Sequence, residues 1–222
     1  MSNESILVIA PHPLDEILGA GGAIAAHSAT GARVSVLYLT GGESERHKAL
    51  KRAARDCSEL LGAEPPQFAD LPENRTDELP LCELIGIIEA AVRATMPERV
   101  YVSHGGNLNL DHQRAFAATV TACRPMPGAS VREILAYEVL SSTDWAPAVS
   151  GMAPFLPNVL VDISATIDRK MQALDLYGEE MRSAPHARSS ESVRALARIR
   201  GHSVGLNAAE AFALIRRIES AR

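Results

Sequence analysis

Short apolar runs alternate along the chain with longer segments of helix-forming residues. The run at residues 6–10 is continuously apolar, which is typical of a strand buried on both faces of a sheet. The same character predicts five further strands, at residues 34–39, 68–71, 100–102, 134–139 and 159–163. Segments rich in alanine, leucine and charged residues predict helices, at residues 16–28, 45–61, 81–94, 111 or 112 to 123, 165–181, 190–200 and 208–219.

Strands and helices that alternate at this spacing predict βαβ units with right-handed crossovers. We therefore predict an α/β fold that is Rossmann-like, with a mainly parallel sheet of five or six strands flanked by helices. No repeat, low-complexity tract or long linker divides the chain, so we expect a single domain over residues 1–222. Three prolines and one glycine in residues 141–157 predict a loop or an irregular lid.

Composition excludes several function classes. The formal net charge of −5 argues against a protein that binds nucleic acid or anionic membranes, because both need a basic surface. Neither a membrane-spanning run nor a signal peptide is expected from the sequence. Cys57, Cys82 and Cys123 form no CxxC pair, which argues against a thiolate metal site. We expect three buried thiols in a reducing compartment, and thus a cytoplasmic protein.

Two features of the helical segments are first interpreted structurally. The second predicted helix carries mixed charges that predict a solvated face, with Arg46, Lys48, Lys51, Arg52 and Arg55 beside Glu43, Glu45, Asp56 and Glu59. Glycines at positions 19, 21 and 22 lie a full helical turn too late for a dinucleotide-binding fingerprint. They are better explained by close packing of a helix on the sheet.

Polar residues follow the first and the fourth predicted strands, and ligands bind at the carboxyl ends of strands in open α/β sheets. His12 and Asp15 lie three residues apart across a strand-to-helix turn, and His112 begins a later helix. Two histidines and one carboxylate suit zinc and leave a fourth position for water, as in catalytic sites. By spacing alone, a turn histidine beside a helix-capping aspartate is an equally good explanation.

Two motifs resemble those of a known family. Residues 11–16 read Pro-His-Pro-Leu-Asp-Glu, and residues 18–22 read Leu-Gly-Ala-Gly-Gly. Together they resemble the (A/P)HPDDE…LG.GG motif of the LmbE/PIG-L family of zinc-dependent deacetylases. Asn-Leu-Asn-Leu-Asp-His at residues 107–112 resembles the second motif of that family. Further similar segments extend the likeness over essentially the whole chain, at residues 71–77, 137–145, 185–186 and 200–212.

The resemblance implies a function. The family removes acetyl groups from N-acetylglucosamine-type sugars and related conjugates, so it implies a zinc-dependent N-deacetylase acting on a small amino-sugar substrate. It implies that His12, Asp15 and His112 are the Zn²⁺ ligands. Family members often assemble, so a homo-oligomer such as a trimer or hexamer is implied by resemblance only.

Leu14 departs from the family motif at the general base. The family has an aspartate there, which takes a proton from water and returns it to the leaving amine. Leucine accepts no proton, and such catalysis is typically worth about 10²–10⁴-fold in rate. We predict an intact metal site with strongly impaired hydrolysis. Three explanations stay open: an engineered inactive variant, which the otherwise intact motif favours, a natural zinc-containing sugar- or metabolite-binding protein on this scaffold, and a base elsewhere in the chain.

Two residues of the second motif have open roles. Asn109 stands where many relatives carry a histidine that helps to stabilise the oxyanion, and we expect it to be a different hydrogen-bond donor. Asp111 either orients a neighbouring ligand or caps the helix that follows.

Four further residues are candidates for substrate binding. Arg75 has a guanidinium that suits sugar hydroxyls or phosphate, although a loop arginine also pairs readily with Asp77. His104 and His186 lie in loops where they contact substrate or only form local hydrogen bonds. Trp145, the single tryptophan, is either a platform for a sugar ring or a packing anchor for its loop.

Overall fold

The computed structural model describes residues 4–147 and 151–219, which form one sheet flanked by helices. The strands in these residues are β1 (Ser5–Ala10), β2 (Arg33–Gly41), β3 (Gln67–Pro72), β4 (Arg99–Ser103), β5 (Glu133–Tyr137), β6 (Val159–Asp162) and β7 (Ala209–Arg217). The α-helices are α1 (Asp15–Ala29), α2 (Glu45–Leu61), α3 (Leu81–Thr95), α4 (Leu110–Ala122), α5 (Ile167–Leu176) and α6 (Ser190–His202).

The strands lie in the order β3-β2-β1-β4-β5-β7-β6. Strands β1 to β5 pair in parallel, and β7 is antiparallel to both of its neighbours. The predicted α/β class with a mainly parallel sheet is confirmed, with seven described strands where five or six were expected. The chain moves from β1 towards one edge and then returns to place β4 on the other side of β1. This reversal leaves a crevice at the carboxyl ends of β1 and β4.

The prediction of a helix over residues 208–219 is wrong, because this segment forms β7. Its alanine, glutamate, leucine and arginine residues have good helix propensity, but propensity differences reach only about 0.7 kcal/mol per residue. Strand β7 fills the position between β5 and β6, where both of its edges find hydrogen-bonding partners. Phe212 is fully buried there, with its ring 4.8 Å from that of Tyr101.

The segment before β7 also differs from the prediction in part. Helix α5 ends at Leu176, and a short 3-10 turn at Gly178–Glu180 replaces the rest of the predicted helix 165–181. Residues 141–147 and 151–157 contain no helix or strand, as expected for a loop, and residues 148–150 lie outside the described residues.

Both faces of the sheet are covered by helices, which explains why β1 is continuously apolar. Ile6 and Val8 belong to one buried cluster with α1, and Leu7 and Ile9 belong to another with α3 and α4. Gly19 and Gly22 of α1 have no room for a Cβ atom, because the side chains of Tyr137 and Ile163 lie against them. Close helix–sheet packing is thus the role of these glycines. In the described part of the chain, no helix combines the length and apolar character needed to cross a bilayer.

A buried ion pair joins α5 to β7 beneath the middle of α1. Lys170 Nζ lies 2.6 Å from Glu210 Oε1 and also donates to the Leu18 carbonyl at 2.8 Å. The same carboxylate accepts the backbone N–H groups of Gly22 and Ala23. Protein groups therefore neutralise and hydrogen-bond both of these buried charges.

Candidate active site

The first two candidate ligands lie in the turn between β1 and α1. Helix α1 begins at Asp15, five residues after Ala10 at the end of β1, and the backbone N–H of His12 donates to Asp15 Oδ2 at 3.0 Å. The His12 ring contacts the same carboxylate through Nδ1, which lies 3.1 Å from Oδ2. The turn thus fixes both side chains towards one point at the carboxyl end of β1.

His112 completes a triangle of ligand atoms. It lies in the first turn of α4, beyond the carboxyl end of β4, and is almost fully buried. Its Nε2 atom is 3.2 Å from Asp15 Oδ2 and 3.3 Å from His12 Nδ1. A tetrahedral zinc ion with bonds of about 2.0–2.1 Å separates its ligand atoms by about 3.3 Å. The three atoms therefore have the spacing that such an ion requires.

Asp111 orients the ring of His12 by binding Nε2, the nitrogen that faces away from the triangle. Its Oδ2 atom accepts from His12 Nε2 at 2.8 Å and from the Asn74 backbone N–H at 2.7 Å. Its Oδ1 atom accepts the hydroxyl of Thr76 at 2.6 Å and the N–H of the same residue. Because His12 donates to Asp111 through Nε2, Nδ1 is the ring atom that would ligate a metal, as in carboxylate–histidine–metal arrangements. The alternative role of Asp111 as a helix cap is wrong, since Asn109 Oδ1 caps α4 by accepting the Asp111 N–H.

The electrostatics of the triangle favour a cation. Burial disfavours the charged form of His12, but the hydrogen bonds that His12 donates to Asp111 and Asp15 outweigh it and raise the His12 pKa to about 10. Burial alone would raise the pKa of Asp15, yet His112 and His12 hold that pKa well below its usual range. Without a metal, the carboxylates therefore hold a proton on the site, in the place where a metal cation would compensate them.

Leu14 lies at the edge of this triangle with an unusual backbone. Its side chain is 2% exposed, its φ is 95°, and its N–H donates to Glu16 Oε2 at 3.0 Å. Leucine is uncommon at positive φ, whereas aspartate and asparagine are enriched there several-fold. Glu16 is itself buried, which raises its pKa to about 7, and it accepts the hydroxyl of Tyr177. The turn thus has a conformation that suits an aspartate at position 14 better than the leucine present.

A cavity of about 260 Å³ opens beside the three candidate ligands. Leu14 and Asn109, which the sequence analysis names as candidate site residues, also line it. Asn109 Nδ2 donates to Asn74 Oδ1 at 3.1 Å, so one of its two amide hydrogens is already engaged. The cavity has mostly polar walls, which suits a hydroxyl-rich ligand better than an apolar one.

Charged residues that the sequence analysis missed form the outer wall of this cavity. They are Arg46, Glu73, Glu180 and Arg188. Arg46, expected on a solvated helix face, donates to Glu73 at 2.7 Å and to Glu180 at 2.8 Å. The rule that ligands bind at strand ends identifies two of them in retrospect, because Arg46 and Glu73 follow β2 and β3 at the same edge of the sheet.

The four substrate-binding candidates lie outside the lining of this cavity. Arg75 is exposed and pairs with Glu78, three residues along the chain, and not with Asp77. His104 is buried, and its Nε2 lies 2.9 Å from the Ala153 carbonyl. Trp145 and His186 contact each other, with ring centroids 5.4 Å apart. Their roles in substrate binding stay predictions.

Comparisons with known proteins show similarity to deacetylases. The PIG-L family model, described as GlcNAc-PI de-N-acetylase, matches residues 7–123, more than half of the 222-residue chain. This range includes all three candidate ligands. Uncharacterized deacetylase YaiS of Escherichia coli (strain K12) is 27% identical over 146 residues, which are 63% of this chain and 76% of that protein.

Solved structures share the fold. N,N'-diacetylchitobiose deacetylase from Pyrococcus horikoshii is similar with a TM-score of 0.76 at 19% identity, over 95% of this chain and 83% of that one. GalB, the 4-carboxy-2-hydroxymuconate hydratase from Pseudomonas putida KT2440, is similar with a TM-score of 0.73 at 22% identity, over 99% of each chain. A deacetylase and a hydratase thus adopt this fold, so the fold alone does not define the reaction. The sequence match is what decides the family: the chain belongs to the PIG-L/LmbE family of deacetylases, which are amide hydrolases.

Proposed function

We propose that this protein binds zinc through His12, Asp15 and His112 and hydrolyses the acetyl amide of an N-acetylated amino sugar or its conjugate, slowly in the present sequence. The observation that carries the proposal is the triangle of ligand atoms, with edges of 3.1, 3.2 and 3.3 Å, at the wall of a polar cavity. Zinc at this position supplies a Lewis acid that polarises a carbonyl and lowers the pKa of water.

Three residues near the metal position have roles in ligand orientation, carbonyl binding and proton transfer. Asp111 holds the ring of His12 with its Nδ1 lone pair directed to the metal position. The second amide hydrogen of Asn109, at the cavity wall, is the donor we assign to the carbonyl oxygen of the substrate. The proton acceptor is the missing part, because Leu14 stands at its position. We therefore infer turnover about 10²–10⁴-fold below that of a variant with a carboxylate there.

An amino sugar fits the observed cavity. Its volume of about 260 Å³ and its polar walls suit a small hydroxylated molecule. The similarity to a chitobiose deacetylase and to YaiS supports an acetylated substrate. We expected all three cysteines to be buried, but Cys82 is exposed. All three are free thiols, and an exposed free thiol suits a reducing compartment, so we also infer a cytoplasmic location. Assembly into a homo-oligomer stays a proposal that rests on resemblance to the family, and so does a single domain over residues 1–222.

One observation favours a second candidate, a binding protein that retains the metal but does not catalyse. Leu14 packs into the main hydrophobic cluster, so the protein has accommodated an apolar side chain where catalysis needs a carboxylate. A long-adapted binding protein is expected to have such apolar packing at this position. A recently inactivated enzyme should regain activity when one residue is restored, whereas the binding protein should not.

Acetate release tests both candidates. The present protein and its Leu14→Asp variant are incubated with zinc and a panel of N-acetylglucosamine compounds. Leu14→Asn is the matched control, since asparagine also tolerates the positive φ of 95° but accepts no proton at neutral pH. We expect about 10²–10⁴-fold faster release with aspartate and little change with asparagine. Equal rates for all three proteins would place the base elsewhere, and zinc-dependent sugar binding without any release would favour the binding protein.

A further inference from the structure

The cavity beside the candidate metal centre contains two arginines in different states. The guanidinium of Arg46 is saturated, with Glu73 on one side and Glu180 on the other. Arg188 also lines the cavity, and its buried Nε–H has no hydrogen-bond partner. Among the described residues, no ion pair or side-chain hydrogen bond engages its guanidinium. A buried donor without a partner is rare in native proteins and calls for an explanation.

No acidic side chain of the cavity is free to neutralise Arg188. The acidic residues among the described lining are Asp15, Glu73 and Glu180. Asp15 belongs to the candidate metal centre, and the other two carboxylates are bound to Arg46. No carboxylate of the described residues therefore forms an ion pair with Arg188, and its guanidinium is left to water or to a ligand that enters the cavity.

The backbone holds Arg188 firmly in place. Its N–H donates to His186 Nδ1 at 3.0 Å, and its carbonyl accepts the N–H of Arg182 at 3.3 Å. The next residue, Ser189, is buried and caps helix α6. An arginine that is fixed at its backbone and free at its guanidinium has the character of a ligand-binding residue, because little further ordering is needed when a ligand binds.

We propose that Arg188 binds an anionic substituent, a carboxylate or a phosphate, on the substrate that occupies this cavity. The proposal rests on the proposed function and narrows its substrate class from any N-acetylated amino sugar to an acidic one. The planar guanidinium presents several N–H donors in a fork that matches both anions. A neutral sugar hydroxyl would satisfy one donor but would leave the charge uncompensated.

Calorimetric binding separates the two types of sugar. Three probes share the acetylated ring: N-acetylglucosamine is neutral, N-acetylglucosamine 6-phosphate carries a phosphate, and N-acetylmuramic acid carries a carboxylate. We expect at least one acidic probe to bind the zinc-loaded protein about 10- to 100-fold more tightly than the neutral one. The two acidic probes distinguish the phosphate from the carboxylate. Fluorescence of Trp145, the single tryptophan, gives a second readout because its ring contacts His186.

Variants of Arg188 test whether this residue causes the preference for acidic probes. Arg188→Gln removes the charge and should abolish the preference for the acidic probe, and Arg188→Lys should retain part of it because the charge stays but the fork is lost. Arg182→Gln is the matched control: this arginine lies in the same loop, is exposed and does not line the cavity. It should bind the probes as the unmodified protein does, and circular dichroism spectra check that each variant is folded.

Two results would overturn the proposal. The first is equal affinity for neutral and acidic probes, and the second is a preference that survives Arg188→Gln. If the surviving preference disappears when zinc is removed, the metal and not Arg188 binds the anion. Failure of the proposed function is recognised separately: acidic probes could bind through Arg188 while Leu14→Asp releases no acetate. Conversely, acetate release with equal kcat/KM for neutral and acidic sugars would retain the deacetylase and reject the role of Arg188.

Discussion

Two buried clusters of charge contact helix α1, and they differ in how their charges are completed. Beneath the middle of the helix, Lys170 and Glu210 are 3% and 5% exposed and neutralise each other. At the start of the helix, His12, Asp15 and His112 direct ligand atoms to one point where no Lys or Arg of the described residues pairs with them. The first cluster is closed by the fold, whereas the second is complete only when a proton or a metal joins it.

This difference shows what marks a site. Burial and perturbed ionisation are common to both structural ion pairs and functional centres, so neither feature identifies a site by itself. The informative feature is an incomplete set of partners next to open space. Within residues 4–147 and 151–219, no Lys or Arg side chain bonds to the ligand atoms of the triangle, which borders a cavity of about 260 Å³. The corresponding atoms of the Lys170–Glu210 pair are all bonded to protein groups.

The largest expected effect comes from removing one partner of the buried Lys170–Glu210 ion pair. Lys170→Met should lower the free energy of unfolding by about 3–5 kcal/mol, because it leaves the Glu210 carboxylate buried without its cation. Urea titration measures this loss. Arg194→Met is the matched control. Arg194, in α6, forms an exposed ion pair with Asp168, which lies on the same helix as Lys170. This variant should lose less than about 1 kcal/mol of unfolding free energy. Similar losses in both variants would mean that the buried pair has no special role.

A double variant sharpens the test. In Lys170→Met/Glu210→Gln, the amide oxygen accepts one of the two α1 N–H groups that the carboxylate bound, and no isolated charge is left inside. We expect this protein to be more stable than Lys170→Met alone, because most of the penalty of a broken pair is the uncompensated charge.

The open cluster should instead respond to metal. Zinc at about 100 times its dissociation constant should raise the free energy of unfolding by about 2.7 kcal/mol, since only the folded protein presents the three ligands together. Thermal unfolding with zinc and with a chelator measures the shift. His112→Ala should show none of it, whereas Arg194→Met should show all of it. A full shift in His112→Ala would place the metal elsewhere in the chain.

The carboxylate behind His12 should have a smaller effect. Asp111→Asn replaces the charged acceptor of His12 Nε2 with a neutral amide, and we expect zinc affinity to fall about 10- to 100-fold. Competition with a chelating dye measures the affinity. Asp77→Asn changes an exposed acidic residue of the neighbouring 3-10 turn at Thr76–Glu78, and it is the control for a simple loss of negative charge. Equal losses in both variants would indicate long-range attraction in place of ligand orientation.

Much of the fold could be predicted from the sequence, because most elements have local patterns that agree with their environment. The apolar run of β1 predicted a buried strand, and the strand-end rule placed the three ligands at one edge. The segment that forms β7 could not be assigned in this way. Its residues favour a helix locally, and only the free position between β5 and β6 makes a strand more stable.

The outer wall of the site was harder to predict for a related reason. Arg46 belongs to a helix whose charges mostly face solvent, and nothing in its local sequence distinguishes it from Lys48 or Arg52. Its contacts with Glu73 and Glu180 join residues 27 and 134 positions away along the chain. Arg188 has no local signal either, since its importance lies in the partners that its guanidinium lacks.

The smallest expected effect concerns Asn109, which belongs to both the fold and the open site. Its Oδ1 caps helix α4, and its Nδ2 bonds to Asn74. Asn109→Ala should lower the free energy of unfolding by about 1 kcal/mol, as the loss of a cap typically does. Asn109→Ser retains a capping oxygen but not the amide, so it should recover stability in a urea titration. If the serine variant is stable but releases acetate more slowly in the Leu14→Asp background, the amide serves the substrate as well as the helix. If serine and alanine are equally destabilising, the contact with Asn74 is what holds this edge of the cavity together.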